Sequence, residues 1–225
     1  DGLIAQGIKK DEAILRVLRE YIIESKKILF EGNGYGEEWV KEAAKRGLSN
    51  IKTTPHALGA YLKQNVVKLF ESAGVLTHEE LEARNEIYLE KYKLKIQIES
   101  RVAGDIALNH IVPAALEYQR KLVETVRGMK DIYDEKEYKT LSAPHRSLIS
   151  SVSTHVSKLQ SDVHMMIEER KKANNMVDSL ESSSHYCDYV IPYLNTMREN
   201  VDSLEIIVDD ELWPIPKYRE LLFTK

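Results

Sequence analysis

In Leu148-Ile-Ser-Ser-Val-Ser-Thr-His-Val-Ser-Lys-Leu-Gln-Ser-Asp-Val-His-Met-Met166 the apolar residues fall at Leu148, Val152, Val156, Leu159, Val163 and Met166. Steps of four and three residues return to one side of a helix, and such a heptad-like seam asks for a second, antiparallel helix along it. Downstream, the serines at 182 to 184 predict a turn and a cap, followed by a third helix with Tyr186, Val190, Tyr193, Met197, Val201 and Leu204 on its buried side. Upstream, Lys130 to Ser142 reads as a polar linker. Before it, Thr77-His-Glu-Glu80 has capping-box spacing and opens a long helix with Tyr88, Tyr92, Leu94, Ile98, Val102 and Ile106 as its stripe. That helix is predicted to run to about Gly128. Pro113 cannot donate to the carbonyl of Asn109, so a kink or break is expected there.

The first quarter of the chain reads as shorter helices. Ile14, Leu18, Tyr21, Ile28 and Leu29 form a stripe predicted to end at Gly32; Glu37, Glu38, Trp39 and Val40 open a helix that stops at Gly47. Thr54 before Pro55 predicts an N-cap and a proline at the first helical position, with Leu58, Leu62, Val66 and Leu69 following until Gly74. The chain closes on Trp213-Pro214-Ile215-Pro216, where two prolines prevent a helix. An extended strap is expected there, with Trp213 and Phe223 as anchors and Tyr218 beside them. No strand and no internal repeat is read. The predicted fold is therefore all-α: an elongated bundle of two or three long antiparallel helices over residues 77–225, preceded by short helices over residues 1–76.

Composition agrees with this and excludes several classes. Of 225 residues, 43% are hydrophobic and 30% charged, with a formal charge of −4. No apolar run approaches the roughly 20 residues of a membrane span. Lysines and arginines are interleaved with acids, so no basic face for nucleic acid is expected. Cys187 is the one cysteine, which rules out an internal disulfide and fits a reducing, cytoplasmic setting. The opening Asp1-Gly2-Leu3 lacks the marks of a signal peptide and reads as a domain boundary within something longer.

Candidate chemistry is sparse. Gly32, Gly34 and Gly36 lie before a helix N-terminus, where backbone amides could hold an anion, but the loop is neither G-x-G-x-x-G nor a P-loop, and a helix-to-helix turn is the simpler reading. The seven histidines include no H-E-x-x-H, and His145, His155 and His164 share no single helical face, so no metal site is expected. His110 is the histidine expected to be buried. Cys187 and His185, two positions apart, diverge on a helix, so Cys187 should be a packed thiol. Arg101 and Asp105 are spaced to pair along one helix, and Asp209, Asp210 and Glu211 read as a polar loop. No catalytic residue emerges.

Several stretches nevertheless resemble type III glutamine synthetases, the large bacterial class, in the region after the catalytic core. They are Phe30-Glu-Gly-Asn-Gly-Tyr-Gly-Glu-Glu-Trp-Val-Lys-Glu-Ala-Ala-Lys-Arg-Gly-Leu48, Thr53-Thr-Pro-His-Ala-Leu58, Ile96-Gln-Ile-Glu-Ser-Arg-Val102, and the ending Val208-Asp-Asp-Glu-Leu-Trp-Pro-Ile-Pro-Lys-Tyr-Arg-Glu-Leu-Leu-Phe223. Tyr186-Cys-Asp188 with Pro192-Tyr193 fits as well. The resemblance covers nearly the whole chain and thins between Thr125 and Ser184; departures such as Ile191 fall at packing or surface positions. It implies a parent enzyme that makes glutamine from glutamate, ammonia and ATP with divalent metal such as Mg, assembled as a dodecamer. The metal ligands and nucleotide contacts would belong to a preceding catalytic domain. For this chain it implies a C-terminal helical domain with no cofactor of its own, whose partners are that catalytic domain and other copies. Two other readings stay open: a free-standing helical interaction domain, and a regulatory element in which Gly32 to Gly36 closes the parent's active site.

Overall fold

The computed structural model describes residues 1–223, without the side chains of Tyr218 and Arg219. Every regular element among the described residues is helical. The chain divides into two compact units, Asp1–Lys52 and Thr53–Lys225. Residues 53–76 thus fall within the long-helix unit, because Pro55 and Leu58 are buried there.

The first unit holds α1 (Gly2–Ala5), α2 (Lys10–Ser25) and α3 (Glu37–Lys45). α2 stops well before the expected Gly32. Its end is met by a side chain instead of a left-handed glycine: Arg46 donates to the carbonyls of Lys26 at 3.2 Å and Leu29 at 2.6 Å, in the turn that follows the helix. The stripe of Ile14, Leu18, Tyr21, Ile28 and Leu29 is exposed. Gly32 has a different task, since a Cβ there would lie 2.7 Å from the Phe30 ring. That ring packs on Trp39 with centroids 4.7 Å apart. Gly47 ends α3 as expected, at φ +69°, with the Leu48 amide reaching back to the Ala43 carbonyl at 2.9 Å.

In the second unit the helix expected from Thr54 to Gly74 is two, α4 (Thr54–Leu58) and α5 (Gln64–Ser72). Thr53, not Thr54, is the N-cap, and Gly59, a poor helix former, follows the buried Leu58. The capping box is present: Glu80 N–H donates to Thr77 Oγ1 at 3.3 Å, and Thr77 N–H to Glu80 Oε2 at 2.8 Å. It opens α6 (His78–Ile106), which continues through a π-turn (Ala107–Ile111) into α7 (Val112–Ile132). Pro113 therefore does not end the helix. The wider turn before it, with Val112 N–H bonded to the Ala107 carbonyl, absorbs the missing donor.

The expected linker is itself helical, as α8 (Glu135–Leu141), because Asp134 caps it by accepting from the amides of Lys136 and Glu137 at 2.9 and 2.8 Å. α9 (Ala143–Asn174) follows, then α10 (Ser179–His185), a second π-turn (Tyr186–Val190), α11 (Ile191–Ile207) and α12 (Tyr218–Leu221). The serines at 182 to 184 lie inside α10, whose cap is Asp178. Ser182 and Ser183 are buried, and their hydroxyls donate to the carbonyls of Ala173 and Leu89 at 2.8 and 3.0 Å. Small residues with a donor let the helices approach closely without stranding a polar atom.

The core is the seam Val152, Val156, Leu159, Val163 and Met166 against Val190, Met197 and Leu204, joined by Ile96, Ala107, Ile111, Ala115 and Tyr186. α6 contributes Leu81, Leu89, Ile96, Ser100 and Gly104, and of the expected stripe only Tyr92 and Ile106, both half-buried, pack against the same core. Leu94, Ile98 and Val102 are 55%, 54% and 52% exposed. His110 is exposed too, because the buried line passes through Gly104, Ala107 and Ile111.

Candidate functional site

The second π-turn and the helices beside it carry a set of polar contacts. The first residue of the turn, Tyr186, is fully buried, and its hydroxyl donates to Asn174 Oδ1 at 2.7 Å, which also accepts from Gln97 Nε2 at 3.1 Å. Burial pushes the Tyr186 phenol above its usual value, opposed by the nearby Arg170 and Arg101. Arg170 is itself lowered by burial and by repulsion from Arg101. One residue earlier His185 Nε2 lies 2.8 Å from Glu169 Oε2, while Lys172 Nζ donates to Glu169 Oε1 at 2.7 Å. The lysine hydrogen bond first, and the histidine with it, outweigh burial and hold Glu169 below the ordinary carboxylate range. His155, near the middle of α9, sits 3.0 Å from Asn200.

The next two residues of the turn face α4. Cys187 is 9% exposed and Asp188 is exposed. His56, on α4, brings Nε2 to 3.4 Å from Asp188 Oδ2. One donor atom from each of His56, Cys187 and Asp188 lies within 4.8 Å of the other two. Thr53 Oγ1 stands 2.7 Å from His56 Nδ1 on the far side of the ring. Burial first, and the neighbouring Cys187 with it, raise the phenol of Tyr92 on α6 well above its usual value. Cys187 is the packed thiol expected, with His56, not His185, as its imidazole neighbour. No local spacing could have announced this set, because α4 and the π-turn are far apart in sequence.

The other expected residues are placed as follows. Gly36 N–H donates to the Asn33 carbonyl at 3.0 Å and Tyr35 N–H to Asn33 Oδ1 at 3.0 Å, and Glu37 and Glu38 occupy the first turn of α3. The Gly36 amide bonded within the turn and the adjacent carboxylates favour the turn over an anion cradle at Gly32, Gly34 and Gly36. Asp105 accepts from Asn109 Nδ2 at 2.6 Å. Trp213 is buried in the core, while Pro214 and Pro216 are exposed in a non-helical segment that bends at Ile215. Phe223 is 81% exposed, so it is no anchor. Lys217 takes that part, donating to the Glu205 carbonyl at 2.8 Å with its ammonium 5.8 Å from the Trp213 ring centroid. The Tyr218 side chain lies outside the described residues.

A cleft of about 170 Å³ opens between α5 and α6, lined by Tyr61, Phe70, Leu81, Arg84, Asn85 and Tyr88. The Asn85 carboxamide oxygen is buried without a hydrogen-bond partner. No helix is long and apolar enough to cross a membrane among the described residues.

Residues 13–130 match a family model described as the glutamine synthetase C-terminal domain. The chain is 48% identical over 225 residues to glutamine synthetase of Bacteroides fragilis (strain YCH46), all of this chain and 31% of that protein. It is 30% identical over 218 residues to glutamine synthetase of Butyrivibrio fibrisolvens, 97% of this chain and 31% of that protein. It is 30% identical over 223 residues to the type-3 glutamine synthetase of Dictyostelium discoideum, 96% of this chain and 29% of that protein. The chain thus spans under a third of the length of these curated relatives.

Proposed function

Because the chain belongs to the glutamine synthetase C-terminal domain family, we propose that it serves as the non-catalytic structural and assembly domain of a type III glutamine synthetase. The observation that carries this reading is extent: the Bacteroides fragilis relative matches the chain from end to end, yet the chain accounts for only 31% of that protein. In the parent enzyme, glutamate, ammonia and ATP give glutamine at a separate catalytic domain that uses ATP and Mg. This chain supplies helices and contacts in place of reacting groups. Its partners are that catalytic domain and, in a cytoplasmic homo-oligomer, other copies of the parent; the resemblance implies a dodecamer.

The long helices make an elongated antiparallel bundle. Support comes from the register of cross-links: Glu169 meets His185 while His155 meets Asn200, and Gln97 meets Asn174 while Gln119 meets the Ile149 carbonyl. In each pair one number falls as the other rises. The stretch up to residue 76 leads in from the catalytic core, and Trp213 to Lys217 strap the end of the bundle. The exposed stripe Leu94, Ile98 and Val102 is assigned to the rest of the parent polypeptide, the two thirds of the relatives' length that this chain does not span.

The test assays the chain and the full parent side by side for γ-glutamyl transfer, with native mass on both and calorimetry with Mg-ATP on the chain. Turnover and a large oligomer for the parent alone are expected. Micromolar Mg-ATP affinity or turnover by the chain overturns the reading. A parent that assembles equally well without this chain turns it toward the free-standing interaction domain.

A further inference from the structure

We propose that His56, Cys187 and Asp188 form a zinc-type divalent metal site that clamps α4 to the second π-turn. Three different donors converge there: an imidazole nitrogen, a sulfur and a carboxylate oxygen, mutually within 4.8 Å. Zinc bonds of about 2.0–2.3 Å put tetrahedral donors about 3.3–3.6 Å apart. The His56–Asp188 pair, at 3.4 Å, already has that spacing. Both side chains are 45% exposed, so small rotations can bring the third distance in. Water fills the open fourth position, as it does where zinc has three protein ligands.

The surroundings are those of a prepared site. Thr53 Oγ1 engages His56 Nδ1 at 2.7 Å, which orients the ring and leaves Nε2 as the coordinating atom. Cys187 and Asp188 are consecutive, and on a regular α-helix their side chains would diverge widely. A π-turn carries more residues per turn, so neighbours diverge less and both can address one ion. Thiolate and imidazole select zinc over magnesium or calcium, which favour all-oxygen shells. Cys187 must lose its proton to bind, so one proton leaves as the ion enters.

Cobalt(II) is the probe, because a thiolate ligand gives it a near-ultraviolet charge-transfer band. Titration of the metal-free 225-residue chain should produce that band at one equivalent, with zinc displacing the cobalt. His56→Gln and Asp188→Asn change exposed residues, so both variants should keep the helical circular dichroism of the original, and each should weaken cobalt binding more than tenfold. Cys187→Ser should abolish the band. Absence of a thiolate band in the original chain overturns the site. So does a band that either exposed-residue variant leaves at unchanged affinity.

Discussion

Two aliphatic stripes of similar make-up meet opposite fates in this chain. On α9, Val152, Val156, Leu159 and Val163 are almost wholly buried; on α6, Leu94, Ile98 and Val102 keep more than half of their surface. Both helices have a buried side, but that of α6 is built from Leu81, Leu89, Ile96, Ser100 and Gly104. The small residues matter. A Cβ at Gly104 would stand 3.3 Å from the Met166 methyl carbon, so α6 lies close against α9 there and a side chain at 104 would make Met166 give way. α6 is consequently apolar on two sides, one used for this fold and one left over, and the leftover side suits a domain that belongs inside a larger chain.

That contrast can be broken by substitution. Trp213→Ala should cost about 3–5 kcal/mol in urea unfolding, since the indole lies in the α9–α11 core and holds the strap down. A cost below about 1 kcal/mol would mean the tail is dispensable to the bundle. Leu159→Ala, in the middle of the buried stripe, should cost about 2–5 kcal/mol by the same measurement. Ile98→Ala, on the exposed stripe, should change the stability of this chain by less than about 0.5 kcal/mol. In the parent, Leu94→Asp with Ile98→Asp should weaken assembly, read by native mass. If Ile98→Ala costs as much as Leu159→Ala, the two stripes are not different in kind.

A smaller effect should appear on acidification. Glu169 is held below the ordinary carboxylate value of 4.5 by Lys172 and His185. Its contribution is therefore complete above that value and is lost as pH falls through the depressed folded-state value. Glu169→Gln should cost about 1–2 kcal/mol at neutral pH and flatten the acid limb of the stability profile. An unchanged acid limb in thermal melts from pH 6 to pH 3 would show that other carboxylates dominate it.

The two π-turns explain why particular readings of the sequence failed. Each precedes a proline, Pro113 or Pro192, by a short interval, and each widens the helix where the proline withholds a donor. A proline inside a periodic pattern is legible as a perturbation, but whether the helix breaks or bulges depends on the packing that holds the next turn in place. His110 was expected inside because it lies near Pro113, and it is outside because the buried line continues through Ile111. The serines at 182 to 184 looked like a cap for the same kind of reason. Their hydroxyls have buried carbonyl partners on Ala173 and Leu89, which a local reading cannot supply.

What the sequence by itself determined was whatever depends on neighbours a few residues apart. The helical class, the seam from Val152 to Met166, the capping box at Thr77 and Glu80, the glycine ends at Gly47 and Gly74 and the burial of Trp213 all rest on local periodicity, capping or side-chain size. The family resemblance added the functional setting, since long quoted stretches carry it without any geometry. Tertiary structure alone decided which side of α6 is covered, how Pro113 is accommodated, and that His56 stands beside Cys187 and Asp188. The physical reason is common to all three. An amphipathic or proline-bearing helix has several acceptable local solutions of nearly equal energy, and only close packing against distant segments separates them.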